Sequence, residues 1–141
     1  KSGNYFEVIS LADSIITDRL NSLVQHIRQS EDDDFPHQSV GGMVLILMKE
    51  IKEREFPLPN EIKTIVNQMN NNWVPKRNFC VHSFVVVTHS NKEKSLQDRL
   101  ELLKECAVEG AELSRLITNK IDGFIKKTFH NKNSEYYRAK E

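Results

Sequence analysis

The stretch formed by residues 96–124, LQDRLELLKECAVEGAELSRLITNKIDGF, decides the fold of this chain. Its apolar or small residues recur alternately every four and every three positions, at Leu96, Leu100, Leu103, Ala107, Gly110, Ser114, Ile117, Ile121 and Phe124. This spacing is the heptad-like seam of a helix that packs in a bundle or coiled coil. Because Gly110 and Ser114 narrow the seam at its middle, we expect a bulky side chain to cross there.

A second long helix is predicted from Tyr5 to about Gln29. Its apolar residues follow one another every three or four positions, at Phe6, Ile9, Ala12, Ile16, Leu20, Leu23 and Ile27. That spacing places them in one buried stripe of a helix. We expect the opposite, solvated face to carry the charged residues Asp13, Asp18, Arg19 and Arg28.

The region between these helices begins with a predicted loop, which is followed by a shorter helix. Residues 30–36 contain four adjacent acids and a proline, which is typical of a solvated loop. Ser39 is a suitable N-cap for a helix that runs to about Glu55. We expect the last turns of this helix, which include Glu50, to be charged and exposed.

A third helix is predicted at residues 61–69, with Asn60 as its N-cap. The asparagine tract at residues 70–72 predicts a kink or a short turn, since Asn tolerates left-handed backbone and caps helices. Beyond it a helix continues, or begins anew, and runs to about Thr88. Residues 90–93 are then a loop that leads into the last helix.

These helices and their short loops predict an all-α protein. The economical arrangement is an antiparallel up-and-down four-helix bundle, in which the long first and last helices supply most of the core. A length of 141 residues suits one domain with a real core. We expect residues 1–129 to form this helical domain and residues 130–141, which are mostly polar, to be a C-terminal tail or linker.

The composition narrows the functional classes. The chain has 20 basic and 20 acidic residues, a balance that argues against coating nucleic acid by bulk charge but leaves room for a local basic cleft. Cys80 and Cys106 are far apart and have no metal-ligand spacing, which indicates reduced core thiols in a cytoplasmic protein. The longest apolar run, residues 43–48, is far shorter than a membrane span of about 20 residues, so we expect no membrane partner. No signal-peptide pattern opens the sequence.

The residues best suited to catalysis or ligand binding lie at positions 73–89, WVPKRNFCVHSFVVVTH. Arg77 and His82 are five residues apart, which on a helix is about 140° of rotation and about 7.5 Å of rise. Both side chains can nevertheless converge on a group beside the helix. A guanidinium offers a planar, charged fork to phosphate oxygens, and an imidazole exchanges a proton near neutral pH. The pair, with Asn78 as a further hydrogen-bonding group, therefore suits a phosphodiester.

The same residues also fit a purely structural helix. In that interpretation Arg77 pairs with an acid such as Asp18, and His82 bonds to a backbone carbonyl. Lys76 and His89 are further candidates for a groove beside the pair. His89 lies two turns beyond His82 and alternatively ends the helix beside its terminal carbonyls. The other histidines, His26, His37 and His130, show no metal-ligand spacing, so we expect neither a metal nor a cofactor.

The segment Arg77-Asn78-Phe79-Cys80-Val81-His82 resembles the R-N-x-x-x-H motif of HEPN domains (higher eukaryotes and prokaryotes nucleotide-binding). The order of elements over residues 5–128 is similar too, with a long first helix, a second helix, a motif helix after a Trp, and a long last helix. Phe84 stands where one subgroup of the family carries a Tyr that its antitoxin modifies, so the resemblance does not extend to that mode of control.

The resemblance implies a four-helix bundle that forms a homodimer through facing motif helices, with RNA as the substrate. The implied activity is metal-independent endoribonuclease cleavage at a composite site built from both Arg/His pairs. His82 would transfer a proton as the 2′-hydroxyl attacks phosphorus, Arg77 would stabilise charge on the phosphate, and Asn78 would orient the substrate or His82. Such enzymes serve as toxins of toxin–antitoxin pairs or in antiviral defence, which implies an antitoxin or defence-system partner protein.

Two other functions stay open. The family includes members that have lost catalysis and bind a nucleotide, a nucleic acid or a protein partner. A helical bundle without any role on nucleic acid is the third possibility, and it would bury Arg77 away from any shared cleft.

Overall fold

The computed structural model of the protein describes residues 2–29, 38–85 and 96–138, and every regular element in these ranges is helical. The elements are α1 (Ser2–Arg28), α2 (Val40–Arg54), α3 (Asn60–Gln68), a π-helical turn (Met69–Trp73), α4 (Val74–Val85) and α5 (Leu96–Phe129). Because α3, the π-helical turn and α4 follow without a break, the described ranges contain four helical segments. The predicted all-α class is confirmed. The loops predicted at residues 30–36 and 90–93, and the helix end predicted near Thr88, lie outside the described residues.

Helices α1 and α5, with 27 and 34 residues, make the most extensive helix–helix contact in the described chain. The predicted stripe of α1 and the predicted seam of α5 are both buried over most of their length, at Ile9, Ala12, Ile16, Leu20, Leu23 and Ile27, and at Leu103, Ala107, Gly110, Ser114, Ile117 and Ile121. Each large aliphatic side chain among them stabilises the fold by about 1.5–3 kcal/mol through burial. Phe6, also predicted to be buried in the stripe, is instead an exposed residue. No helix in the described ranges is both long enough and apolar enough to cross a bilayer.

The bulky side chain expected at the middle of the α5 seam is Trp73. Its indole is fully buried, and it occupies the space that a side chain at position 110 would need. A Cβ added to Gly110 would lie 2.7 Å from Cζ2 of Trp73 and 3.3 Å from Cβ of Ala12. The indole Nε1 donates a hydrogen bond of 3.1 Å to the carbonyl of Cys106, so the buried polar atom is satisfied.

Helix α2 begins as predicted, because the hydroxyl of Ser39 accepts a hydrogen bond of 3.0 Å from the backbone N–H of Gly42. The prediction of an exposed, charged end of α2 is wrong at Glu50. This residue is 4% exposed, and its two carboxylate oxygens accept hydrogen bonds from Arg28 at 2.6 Å and from Arg54 at 2.8 Å. Arg28, which was predicted on the solvated face of α1, is partly buried by this pairing. The ion pair of Arg28 with Glu50 therefore links α1 to α2.

The junction between α3 and α4 differs from prediction at two points. Asn60 is not the N-cap of α3 but its first residue, and the preceding Pro59 carbonyl accepts the first hydrogen bonds, from Ile62 and Lys63. The asparagine tract forms no short turn that ends the helix but lies within the π-helical turn, where the N–H of residue 74 bonds to the carbonyl of Met69. The wider turn keeps the helix continuous while both of its apolar ends, Met69 and Trp73, are buried.

Two residues beyond Phe129, Tyr136 and Arg138, contact the helical part of the chain. The backbone N–H of Arg138 donates a hydrogen bond of 2.7 Å to the carbonyl of Phe129. The ring of Tyr136 lies 5.0 Å from the ring of Phe56 and 6.5 Å from that of Phe129. The division into a helical domain at residues 1–129 and a tail at residues 130–141 stays a prediction.

The contact of Trp73 with Gly110 predicts opposite effects for the same substitution at two glycines of α5. We expect Gly110→Ala to lower the free energy of unfolding by about 1–3 kcal/mol, because the added Cβ overlaps the indole. In Gly123→Ala the new Cβ meets no side chain of a non-adjacent described residue within 4 Å, so the better helix propensity of Ala should raise stability by up to about 1 kcal/mol. Urea unfolding followed by circular dichroism measures both. Stabilisation by both substitutions would contradict the packing.

The buried Glu50 carboxylate predicts a pH-dependent contribution to stability. Burial alone would raise the pKa of Glu50, but the hydrogen bonds from Arg28 and Arg54 outweigh it and hold the pKa below its usual value. A pKa that is lower in the folded state gives stability above the unfolded pKa of about 4.3, and this is lost as pH falls through the folded value.

We therefore expect Glu50→Gln to lower the free energy of unfolding by about 1–3 kcal/mol at pH 7. The difference from wild type should shrink as pH falls below about 4, because wild type then loses the same charge. The matched control is Glu53→Gln, whose carboxylate side chain is largely exposed and pairs with Lys49. Urea unfolding at pH 7 and pH 3 makes the comparison, and a difference that does not change with pH would rule out the proposed ion pair.

Candidate functional site

One face of α4 is fixed against α5. Trp73 precedes the helix and is anchored at Gly110, and Cys80, which is buried, donates its thiol hydrogen to the carbonyl of Leu102 over 3.4 Å. The thiol of Cys106 lies within hydrogen-bonding distance of Cys80, and this contact together with burial raises its pKa. Both cysteines are free and buried, so they pack as part of the α4–α5 contact.

The opposite face of α4 is exposed and carries Pro75, Asn78 and Phe79. The ring of Phe79 is 41% exposed. His82 lies one helical turn beyond Asn78, so the backbone of α4 places its Cα on this same face. For His82 the structure describes the backbone, which is helical. His89 lies outside the described residues.

Arg77 lies at the edge of this exposed face, where α4 meets α1. Its Nη1 donates a hydrogen bond of 2.5 Å to Oδ2 of Asp13. Its Nε and Nη2 both donate to Oδ1 of Asn78, at 3.2 and 2.8 Å. The guanidinium carbon also lies 5.8 Å from the ring centroid of Trp73, within the range of a cation–π contact. The side chain is 17% exposed, so it is largely buried but keeps some contact with solvent.

Arg77 does pair with an acid, as the structural interpretation expects, but this acid is Asp13 and not Asp18. Asp18 instead accepts hydrogen bonds from its neighbour Arg19. Asp13 takes the place beside Arg77, and its side chain is 28% exposed rather than on the solvated face predicted for it. Asp13 follows Ile9 by one helical turn, so a sequence signal for it exists: it borders the buried stripe of α1.

Lys76 is directed to a different neighbour. Its Nζ lies 2.7 Å from Oε2 of Glu109 on α5, and this hydrogen bond raises the pKa of Lys76. Arg77 thus reaches α1 and Lys76 reaches α5, although they are adjacent in sequence. The structure brings together Arg77 and Asn78, which were predicted, and Asp13, which was not. It does not bring Lys76 into that group.

The arrangement leaves part of the guanidinium available. An arginine side chain has five N–H bonds, and the hydrogen bonds to Asp13 and Asn78 use three of them. Among the residues that the structure describes, one N–H bond of Nη1 and one of Nη2 have no hydrogen-bond partner. Such N–H bonds can donate to phosphate oxygens. Within the described ranges, no three His, Cys, Asp or Glu side chains are grouped so that they could hold a metal ion.

No protein-family model matches the chain, and comparisons with curated proteins and with solved structures also find no match. The evidence for a function therefore lies in the residues of α4 and in the contacts that hold them.

Proposed function

We propose that the chain is a HEPN-type, metal-independent endoribonuclease that acts as a homodimer. The observation that carries the proposal is the position of Arg77. Its guanidinium is fixed at the edge of an exposed helix face, and two of its N–H bonds have no partner among the described residues. The same face carries Asn78 and the Cα of His82. A cationic fork beside a residue that can transfer a proton is what cleavage of a phosphodiester requires.

The proposal extends to the arrangement of the helices, an antiparallel up-and-down four-helix bundle of the HEPN type. It is supported by the extensive contact between the long helices α1 and α5 and by the contacts of α4 with α5. It is also supported by the position of the R-N-x-x-x-H segment on a helix that directly follows a buried Trp73.

One chain supplies only half of the proposed site. Arg77 and His82 are about 7.5 Å apart along α4, so one pair lines one side of a phosphodiester. A two-fold axis through the exposed face of α4 would bring a second pair to the other side. Pro75 and Phe79 offer apolar surface on this face that a partner helix can cover.

The proposed reaction needs no group beyond the protein and the RNA. His82 takes part in proton transfer while the 2′-oxygen of the RNA attacks the adjacent phosphorus. The bond from phosphorus to the 5′-oxygen breaks, and this oxygen leaves as a 5′-hydroxyl, so the products are a 2′,3′-cyclic phosphate and a 5′-hydroxyl. Arg77 stabilises the charge that develops on the phosphate oxygens, and Asn78 holds the guanidinium. In the cell we propose a cytoplasmic toxin or antiviral effector with an antitoxin or defence-system partner.

A second candidate function is a catalytically silent HEPN-like module that binds a nucleotide, a nucleic acid or a protein partner. The ion pair between Arg77 and Asp13 favours it over catalysis, because the nearby carboxylate offsets part of the positive charge that would stabilise the transition state. Such a module would bind RNA without cleaving it.

We expect the purified protein to cleave RNA in the presence of EDTA and to leave 5′-hydroxyl and 2′,3′-cyclic phosphate ends. Arg77→Lys and His82→Ala should each lower the rate on the order of 100-fold or more, since each removes a group that acts on the transition state. Arg115→Lys, at an exposed position of α5, is the matched control and should cleave like wild type. Gel analysis of a defined RNA with end-group labelling measures rate and products.

The endoribonuclease proposal fails if wild type leaves RNA intact, or if Arg77→Lys and His82→Ala cleave as fast as Arg115→Lys. Binding of RNA by an inactive wild-type protein would instead support the silent module.

A further inference from the structure

We propose that Asp13 of α1 is a positioning residue of the same site, whose carboxylate sets the direction of the Arg77 guanidinium toward the RNA phosphate. This inference rests on the proposed endoribonuclease function. It adds a residue that lies outside the R-N-x-x-x-H segment, 64 positions earlier in the chain and on a different helix.

The contacts of Arg77 define its direction. An arginine side chain rotates about several bonds, so one contact does not fix its guanidinium plane. Asn78 holds the edge formed by Nε and Nη2, and Asp13 holds Nη1 at the other end of the group. Two anchors at different atoms fix the plane of the guanidinium. They thereby also fix the direction of the Nη1 and Nη2 N–H bonds that have no partner among the described residues.

Among the described residues, the carboxylate of Asp13 accepts a side-chain hydrogen bond from Arg77 alone. Its Oδ2 accepts the hydrogen bond from Nη1, while its Oδ1 is buried and has no hydrogen-bond partner among the residues that the structure describes. A buried carboxylate oxygen without a partner is unfavourable, so the position of Asp13 is explained by Arg77 and by no other described contact. Asp18, in contrast, is an exposed residue whose carboxylate pairs with its own neighbour Arg19.

A merely structural role for this ion pair makes different predictions. If the pair only joins α1 to α4, its loss lowers stability, and the folded protein keeps its turnover. If Asp13 sets the guanidinium direction, its loss misplaces a group that acts in the transition state. A displacement of about 1 Å there can lower turnover on the order of 100-fold.

The test compares three variants of the full chain with wild type. Asp13→Asn keeps the size of the side chain but removes the charge, Asp13→Glu keeps the charge, and Asp18→Asn is the matched control on the same helix. The readouts are kcat and KM for cleavage of a defined RNA, at a temperature where circular dichroism shows each variant folded. A further readout is the Nε–H signal of Arg77 in a nitrogen-15 spectrum, assigned from its absence in Arg77→Lys.

We expect Asp13→Asn to lower kcat on the order of 100-fold with a much smaller change in KM, and to shift or broaden the Arg77 signal. Asp13→Glu should recover part of the turnover, and Asp18→Asn should match wild type in both readouts. Wild-type turnover or an unchanged Arg77 signal in Asp13→Asn would overturn the positioning role and leave the endoribonuclease proposal standing. An inactive wild type would overturn both, and the Arg77 signal would then report a structural ion pair only.

Discussion

The packing of Trp73 against Gly110 is the contact on which the rest of the structure depends. It holds the start of α4 in the seam of α5, next to Ala12 of α1, and thereby joins the three helices that meet at the candidate site. Because the indole fixes which side of α4 is buried, it also fixes which side is exposed. Arg77 is then directed toward α1, and Asn78 and the backbone of His82 come to lie on the outer face.

Much of this was predictable from the sequence, because helical periodicity reports which residues of a helix are buried. The stripe of α1 and the seam of α5 are confirmed at most of their positions, with Phe6 as an exception, and the narrowing at Gly110 is confirmed. The periodicity of one helix does not show which residues of other helices will contact the side chains that border its buried stripe. For that reason Asp13 and Glu50 were both expected in solvent, although each pairs with an arginine of another helix. The identity of Trp73 as the crossing side chain also depends on the register between helices.

The ion pairs of Glu50 and Asp13, which the sequence did not predict, have different consequences. Glu50 is almost fully buried between Arg28 and Arg54, so it contributes to stability and joins α1 to α2. It is not part of the R-N-x-x-x-H segment or of the contacts described for that segment. Asp13 and Arg77 keep partial exposure, and their pair is where we propose that the RNA phosphate binds. Helix α1 thus has two roles in the account. It supplies much of the core and also holds the arginine on which the proposed chemistry depends.

The central claim is that the exposed face of α4 completes its site with a second copy of the chain. Sedimentation equilibrium of wild type and of Phe79→Lys, with RNA cleavage measured on the same samples, tests it most directly. Leu45→Lys is the control, because Leu45 is an exposed apolar residue on α2. The account predicts that wild type and Leu45→Lys are dimers that cleave RNA, and that Phe79→Lys is a folded monomer without cleavage. A monomeric Phe79→Lys that cleaves like wild type, or a wild-type monomer that cleaves at all concentrations, would contradict it.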